Sequence, residues 1–391
     1  MRFMELFRRT FADINLENLV HNWNLIKTTA GRDRFICPMI KADAYGHGAH
    51  QVAFALEREG AKVFGVCLVE EGLALRSSGV KSEILVFKGF DKRGAEKMLE
   101  YQLTPVVSSF EQIEILNSVA DEPVKVHIKF NTGMMRLGFE INQAEKIKSE
   151  IMKSKKLKLK GVLSHLSSSE DCLDSAGTTE KQLKLFSELL SVFGNNVVYH
   201  CLNTGAIQGL AELAGEAAGL AVENSIWGFR PGLMLYGYSA KPDFTKLQLK
   251  PVMSVKSVIN NVRKIKRGDA VSYGGRWVAG RDSLIGVVPI GYADGVHRSL
   301  SNRGSFLVDG VKAPIVGSVC MDFVMLDLTD LSEMKNKSDW ENHEVTVFGF
   351  DDDGRLLSAD ETARHANTIS WEVLTSISSR VPRHYKGLIK S

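Results

Sequence analysis

The sequence predicts an α/β fold, a (β/α)8 TIM-like barrel followed by a mainly β C-terminal domain. Three observations carry that expectation. Short apolar runs alternate with helical periods eight times between about residues 35 and 235. After about residue 240 the texture changes to β-branched runs separated by Gly or Asp turns. The 391 residues also exceed what one hydrophobic core usually organises, so two domains are the default.

The elements follow in order. Residues 1–15 precede the barrel, and Phe11-Ala12-Asp13-Ile14 suits a strand that joins the β-domain. Residues 16–240 form the barrel. Its strand-like runs fall at 35–41, 62–68, 83–87, 104–107, 124–130, 158–165, 196–202 and 225–229. Between them, segments such as 51–59, 70–77, 92–101, 111–119 and 180–193 place apolar residues at i, i+3 and i+4, the period of a helix with one buried face. The pattern breaks at 238–245, where Pro242 and Asp243 interrupt it. Residues 241–391 read as the β-domain, with runs at 252–262, 284–290, 305–308, 314–328 and 344–350. Helical periodicity returns only over 359–376.

Composition excludes several functions. The fractions, 44% hydrophobic and 24% charged, are ordinary for a globular protein. A formal charge of +3 is too small to argue for nucleic acid or an anionic membrane. The basic run 146–160 is a local exception, and its apolar spacing makes it a solvated helix face leading into a strand. No run of ~18 uncharged apolar residues exists, so no membrane span is expected. The N-terminal residues Met1 to Arg9 lack an apolar h-region, so a secretory signal is not expected either. Five cysteines, Cys37, Cys67, Cys172, Cys201 and Cys320, are scattered with no CxxC pair, which fits reduced thiols in the cytoplasm. His47 and His50 stand at i, i+3, yet no third ligand completes a set, so no metal site is expected.

Lys41-Ala42-Asp43-Ala44-Tyr45-Gly46-His47-Gly48 is the most informative stretch. It follows the apolar run Phe35-Ile36-Cys37-Pro38-Met39-Ile40. A lysine at the end of a buried strand loses hydration, which favours a nucleophilic amine or Schiff-base partner. In a barrel, strand ends meet around one mouth. Lys41, Lys129, Asn131, Arg136, His165, Asn203, Thr204 and Arg230 all fall at such ends or in the loops just after them. Singly, each could merely cap a strand or face solvent. Together they supply an amine, two guanidinium groups and an imidazole on one face. That set suits an anionic, phosphate-bearing carbonyl cofactor. Gly228-Phe229-Arg230-Pro231-Gly232 offers backbone N–H groups to a phosphate, and Thr204 offers a hydroxyl.

These residues resemble the alanine racemase family over essentially the whole chain. The resemblance rests on Lys41 to Gly48, Asn131-Thr132-Gly133-Met134-Met135-Arg136-Leu137-Gly138 and Arg230-Pro231-Gly232. It continues through Ser272-Tyr273-Gly274, Gly291-Tyr292-Ala293-Asp294-Gly295, Cys320-Met321-Asp322 and Ser379-Arg380-Val381-Pro382-Arg383. It implies a pyridoxal 5'-phosphate enzyme that interconverts L- and D-alanine by a two-base mechanism and supplies D-alanine for peptidoglycan. Lys41 and Tyr273 are the implied bases, with Tyr273 donated by the other subunit of a homodimer. Implied cofactor contacts are Lys41, Tyr45, His165, Asn203, Thr204, Arg230, Gly232, Leu233 and Trp371. The small amino-acid substrate would meet Arg136, Tyr292, Met321 and Asp322, and Lys129 would be carbamylated.

One position departs from the family. Trp371 stands where the family has a tyrosine that donates to the phosphate and narrows the entry. The indole keeps an N–H donor, loses the phenol and adds bulk. Rival readings are a racemase of the same fold for serine or a basic amino acid, a basic amino-acid decarboxylase, and a non-catalytic pyridoxal-phosphate-binding protein. Arg230 argues against the decarboxylase, which the family resemblance pairs with a glutamate at the pyridine nitrogen. The ~150 residues beyond the barrel argue against a pure binding role.

Overall fold

The computed structural model describes residues 8–31, 34–174, 176–213, 227–241 and 244–387. Contacts divide the chain into two units. One runs from Leu19 to Lys250 apart from Tyr45–Gly48; the other takes that turn, the chain up to Asn18, and everything from Pro251. The expected break at Pro242 and Asp243 lies outside the described residues, as do residues 1–7 and the first two residues of the run at 225–229.

The chain enters through β1 (Phe11–Asn15) and the helix Leu16–Ala30. Seven barrel strands follow: β2 (Val63–Val66), β3 (Glu83–Val86), β4 (Thr104–Val107) and β5 (Val124–Lys129), then β6 (Leu157–Leu163), β7 (Val198–Leu202) and β8 (Trp227–Phe229). They form one parallel sheet in chain order. The apolar run at 35–40 closes the ring as the eighth member. Cys37 N–H donates to Phe229 O and Met39 N–H to Pro231 O, both at 2.8 Å. On the other side, Ile40 N–H donates to Gly65 O and Gly65 N–H to Pro38 O, both at 2.9 Å. Pro38 has no N–H to give on that side, so the run pairs through isolated bridges rather than a continuous ladder.

Helices lie between the strands, among them Ala49–Arg58, Val69–Ser77, Lys92–Glu100, Phe110–Val119, Ala144–Lys153, Thr178–Phe193 and Thr204–Leu213. Local capping fixes several starts. Asp91 accepts from Gly94 N–H at 2.7 Å and Ser109 from Gln112 N–H at 3.3 Å. Inside, Cys37, Val63, Leu85, Val106 and Leu163 form a buried cluster with Phe35, Met39 and Phe87 against it. Strand periodicity turns His127 and Lys129 of β5 to one side, and both are buried. Gly161 of β6 makes room for His127, because a Cβ there would sit 2.2 Å from its Nδ1.

The second unit holds β9 (Met253–Val258), β10 (Asn261–Ile265), β11 (Ala270–Val271), β12 (Trp277–Val278) and β13 (Ser283–Val288). It continues with β14 (Ser305–Val308), β15 (Val311–Pro314), β16 (Val324–Asp327), β17 (Glu344–Phe350), β18 (Leu356–Leu357) and β19 (Arg383–Lys386). Its main sheet has the order β15-β14-β17-β9-β1-β19. Strand β1 lies between β9 and the edge strand β19, antiparallel to the first and parallel to the second. A smaller sheet joins β10, β13 and β16, and β11 pairs with β12 in a ribbon. The helical period at 359–376 is two helices, Ala359–Ala366 and Ser370–Ser376. Asn367 takes a left-handed φ of 57° and ends the first.

Because β1 is flanked on both edges, its buried side chains stabilise this unit directly. Ile14 is fully buried. Ile14→Ala is expected to cost about 2–5 kcal/mol, read as a lower urea midpoint of unfolding.

Candidate active site

The residue after the closing barrel segment is Lys41, half-buried and followed by an unusual turn. Ala42, Asp43, Ala44 and Tyr45 hold φ values of 50°, 52°, 54° and 54°, four consecutive left-handed residues without a glycine. Each such residue costs about 1–2 kcal/mol, so the surroundings must hold the turn in place. Ala44 N–H returns to Ile40 O at 3.0 Å, and Asp43 Oδ1 accepts Ala49 N–H at 2.8 Å. Further along, His47 Nδ1 donates to Tyr45 O at 3.0 Å, and Arg383 Nε donates to Gly46 O at 3.0 Å. Gly46 abuts Leu374 O so closely that a Cβ would lie 2.4 Å away. Leu374 belongs to the helix Ser370–Ser376, which also carries Trp371. Among the described residues the Trp371 indole N–H has no protein partner; only its carbonyl is engaged, by Thr375 at 2.8 Å.

Around the barrel mouth the charge is positive. Arg230 is buried, and its guanidinium donates to the carbonyls of His200 and Ser164. It also donates to His200 Nδ1 at 3.0 Å and His165 Nδ1 at 3.3 Å. A guanidinium can only donate, so both rings accept at Nδ1 and carry their proton on Nε2. His200 Nε2–H then donates to His127 Nδ1 at 2.9 Å. Burial and the neighbouring cations keep all three imidazoles neutral, His127 down to about 3. Lys129 is buried beside Arg136 and Arg230. Burial first and those two guanidinium groups next pull its amine down to about 8. Among the described residues no carboxylate pairs with Lys129, Arg136 or Arg230.

The loops supply the remaining contacts. Asn131 Oδ1 accepts Gly133 N–H at 3.2 Å and Met135 N–H at 3.0 Å, while its Nδ2 donates to Glu140 at 3.1 Å. These bonds shape the loop that presents Arg136 at the surface. Thr204 opens the helix Thr204–Leu213, and its hydroxyl accepts Gly232 N–H at 3.1 Å. Asn203 Nδ2 donates to Leu166 O at 3.2 Å, and Leu233 is fully buried next to Gly232. Helix start, Thr204 hydroxyl and Gly232 thus converge on one spot fit for a phosphate. The cationic mouth, whose Lys129, Arg136 and Arg230 pair with no carboxylate among the described residues, fits with this phosphate cradle a phosphate-bearing cofactor and a substrate carboxylate.

In the second unit, Tyr273 sits on a strained turn. Ser272 has φ 66°, and its hydroxyl donates to Ser318 O at 2.7 Å; Ser318 Oγ donates to Tyr273 O at 3.0 Å. The Tyr273 ring is 73% exposed on a hollow of about 730 Å³ lined by Ile265, Val271, Ile285, Phe323 and Met325. Tyr292 and Met321 are also exposed. Their turns are stitched together, because Tyr292 N–H donates to Cys320 O and Ala293 N–H to Met321 O, both at 3.0 Å. Gly291 is required there, since a Cβ would lie 2.3 Å from Met321 O. Asp294, fully buried, holds this corner by pairing with Arg8 at 2.6 Å and Arg380 at 3.5 Å; Arg380 also pairs with Asp322 at 2.7 Å.

A seven-stranded parallel sheet closed by the run at 35–40, followed by a mainly β unit, is the architecture of one class of amino-acid racemase. Residues 14–240 match the family model described as alanine racemase, N-terminal domain, and residues 252–385 match its C-terminal domain. The chain therefore belongs to the alanine racemase family. It is 41% identical over 383 residues to the alanine racemase of Thermodesulfovibrio yellowstonii, covering 96% of this chain and 97% of that one. Among solved structures it resembles the alanine racemase of Clostridium difficile, with a TM-score of 0.85, 32% identity and coverage of 98% and 97%. It also resembles that of Bartonella henselae with covalently bound pyridoxal phosphate, with a TM-score of 0.83, 28% identity and coverage of 97% and 99%.

Within the barrel the structure brings together Lys129, His165, Arg230 and Arg136, and it groups Asn203, Thr204, Gly232 and Leu233. Tyr45 and Trp371 fall in the second unit with Tyr273, Tyr292, Met321 and Asp322. Sequence reasoning missed His127, His200, Ser164 and Glu71. For His127 the signal was its parity with Lys129 on β5.

The neutral imidazoles have a pH consequence. In the unfolded chain a histidine charges below about 6.5, whereas these three stay neutral when folded. Above pH 7 they leave stability unchanged. As pH falls from about 6.5 towards 5 the unfolded chain binds more protons, and stability drops by roughly 1 kcal/mol per pH unit for each. Urea midpoints between pH 7 and 5 should show this slope, and His127→Asn should lower it by about a third. A flat wild-type midpoint would contradict the assignment.

Proposed function

We propose that the chain interconverts L-alanine and D-alanine with pyridoxal phosphate as its cofactor, supplying D-alanine for peptidoglycan. The observation carrying this reading is the barrel mouth: Lys129, Arg136 and Arg230 gather near Lys41, and among the described residues no carboxylate pairs with these three, in a chain of the alanine racemase family. When bound, the cofactor supplies an electron sink that acidifies the substrate Cα–H. The chain's own residues do the rest. Lys41 Nζ would hold the cofactor and would take or return the proton on the D-face of Cα. Tyr273 Oη serves the opposite face.

Arg136 receives the substrate carboxylate. The Thr204 hydroxyl, the Gly232 and Leu233 backbone and the adjacent helix start suit the phosphate, and Tyr45 and Trp371 are proposed as further donors on the strength of the family membership. His165 and Asn203 would help hold the cofactor. Arg230 would serve the cofactor ring, and as a guanidinium that does not give up its proton it would limit charge delocalisation into that ring. Lys129, whose amine is free in part near pH 8, adds to carbon dioxide with loss of a proton, and the resulting carbamate anion pairs with Arg136.

We further propose a homodimer with shared sites and a cytoplasmic setting, the latter consistent with five free cysteines. Tyr273, Met321 and Tyr292 are exposed, and Tyr273 borders a hollow lined mainly by apolar side chains, the kind of patch that marks an interface. In the dimer this face would bring Tyr273, Tyr292, Met321 and Asp322 to the partner's barrel mouth. The bulk of Trp371 favours alanine over longer side chains.

Subunit mixing tests the whole reading. Lys41→Ala and Tyr273→Phe are each expected to be nearly inactive, and only the Lys41 variant should escape borohydride labelling in the presence of pyridoxal phosphate. Random exchange of the two variants should restore about a quarter of wild-type activity, since half of the dimers carry one intact site. No recovery despite proven exchange would place both bases in one chain. Turnover of lysine or arginine as readily as alanine would replace the alanine reading with a broad-specificity racemase.

A further inference from the structure

The left-handed turn after Lys41 needs something outside it to hold it. One side chain from a neighbouring helix reaches it. Glu71, in the first turn of the helix Val69–Ser77, accepts Ala42 N–H on Oε1 at 2.7 Å. Its other oxygen, Oε2, accepts Cys67 N–H at 2.7 Å and Leu68 N–H at 3.0 Å, just past the end of β2. A single carboxylate thus ties the first left-handed residue to the neighbouring strand end and helix start. No other described side chain accepts from Ala42 N–H. The geometry points to Glu71 as a positioning residue that sets the direction of Lys41 at the barrel mouth. It touches neither cofactor nor substrate in this role. The inference rests on the reading of Lys41 as the cofactor lysine.

Two features make the tether specific. First, Ala42 carries the left-handed φ of 50° directly next to Lys41, so any release of that peptide rotates the lysine backbone. Second, both carboxylate oxygens are used on different elements. Glu71→Gln replaces one acceptor with an amide donor, which must face an N–H on one side or the other. Glu71→Asp keeps the charge and withdraws the group by one methylene, so it loses reach to Ala42 first.

The test uses the full-length holoenzyme. Borohydride labelling of the wild type at Lys41 comes first, because a label at another lysine would overturn the reading of Lys41 and not the tether. Amide hydrogen exchange at Ala42 is then followed in the wild type, Glu71→Gln and Glu71→Asp. Losing a charge-assisted hydrogen bond should speed exchange there by about tenfold to a hundredfold, with exchange in the barrel strands unchanged. The kcat should fall at least about tenfold while KM for alanine changes less than about threefold. Adding Ala42→Gly, which adopts left-handed φ without strain, should recover part of the kcat lost in Glu71→Gln. Wild-type exchange at Ala42 and wild-type kcat in a folded Glu71→Gln would overturn the inference, as would a KM-only defect. If Glu71→Gln fails to fold, Glu71→Asp decides by the same readouts.

Discussion

A buried guanidinium with no carboxylate to answer it sets the terms for the barrel mouth. Arg230 is satisfied by two backbone carbonyls and two imidazoles rather than by an anion. Those imidazoles must accept, so they must be neutral, and His200 passes the constraint to His127. Burial first, then Arg136 and this same charge, lower the Lys129 amine, and the guanidinium groups leave the mouth seeking negative charge. Burial of an unpaired ion is costly, which is why every carbonyl and ring nitrogen within reach is enlisted. An anionic cofactor and a substrate carboxylate are the groups that would complete this balance.

Strain is stored on both sides of the proposed chemistry. Lys41 is followed by four left-handed residues, and Tyr273 by a turn preceded by Ser272 at φ 66°. Each is held by hydrogen bonds from outside its own segment: Glu71 on Ala42, Ser318 on Tyr273, and Asp294 with two arginines at the corner bearing Tyr292. Rigid presentation of this kind suits proton transfer, where small displacements of the acid or base cost rate steeply.

Much of the architecture was legible in the sequence, because the barrel runs are apolar on both faces and their spacing is regular. The run at 83–87, Glu83-Ile84-Leu85-Val86-Phe87, for example, is apolar after its first residue. Where tertiary context decides, the reading stopped short. Pro38 thins the closing segment into bridges, and Asn367 splits one helical period into two helices. The strand-end cations were visible because strand ends of a barrel converge by topology alone. The histidine relay and Glu71 were not. Their partners lie 73 and 29 residues away in sequence, and no periodicity announces such pairs. Trp371 was visible only as a departure from the family.

The central claim is that two different side chains serve opposite faces of the substrate Cα. Solvent deuterium incorporation by Tyr273→Phe in single turnovers, started separately from L-alanine and from D-alanine, tests it most directly. The account predicts a much larger loss of exchange from L-alanine than from D-alanine, with cofactor absorbance retained. Equal losses from the two enantiomers would contradict it.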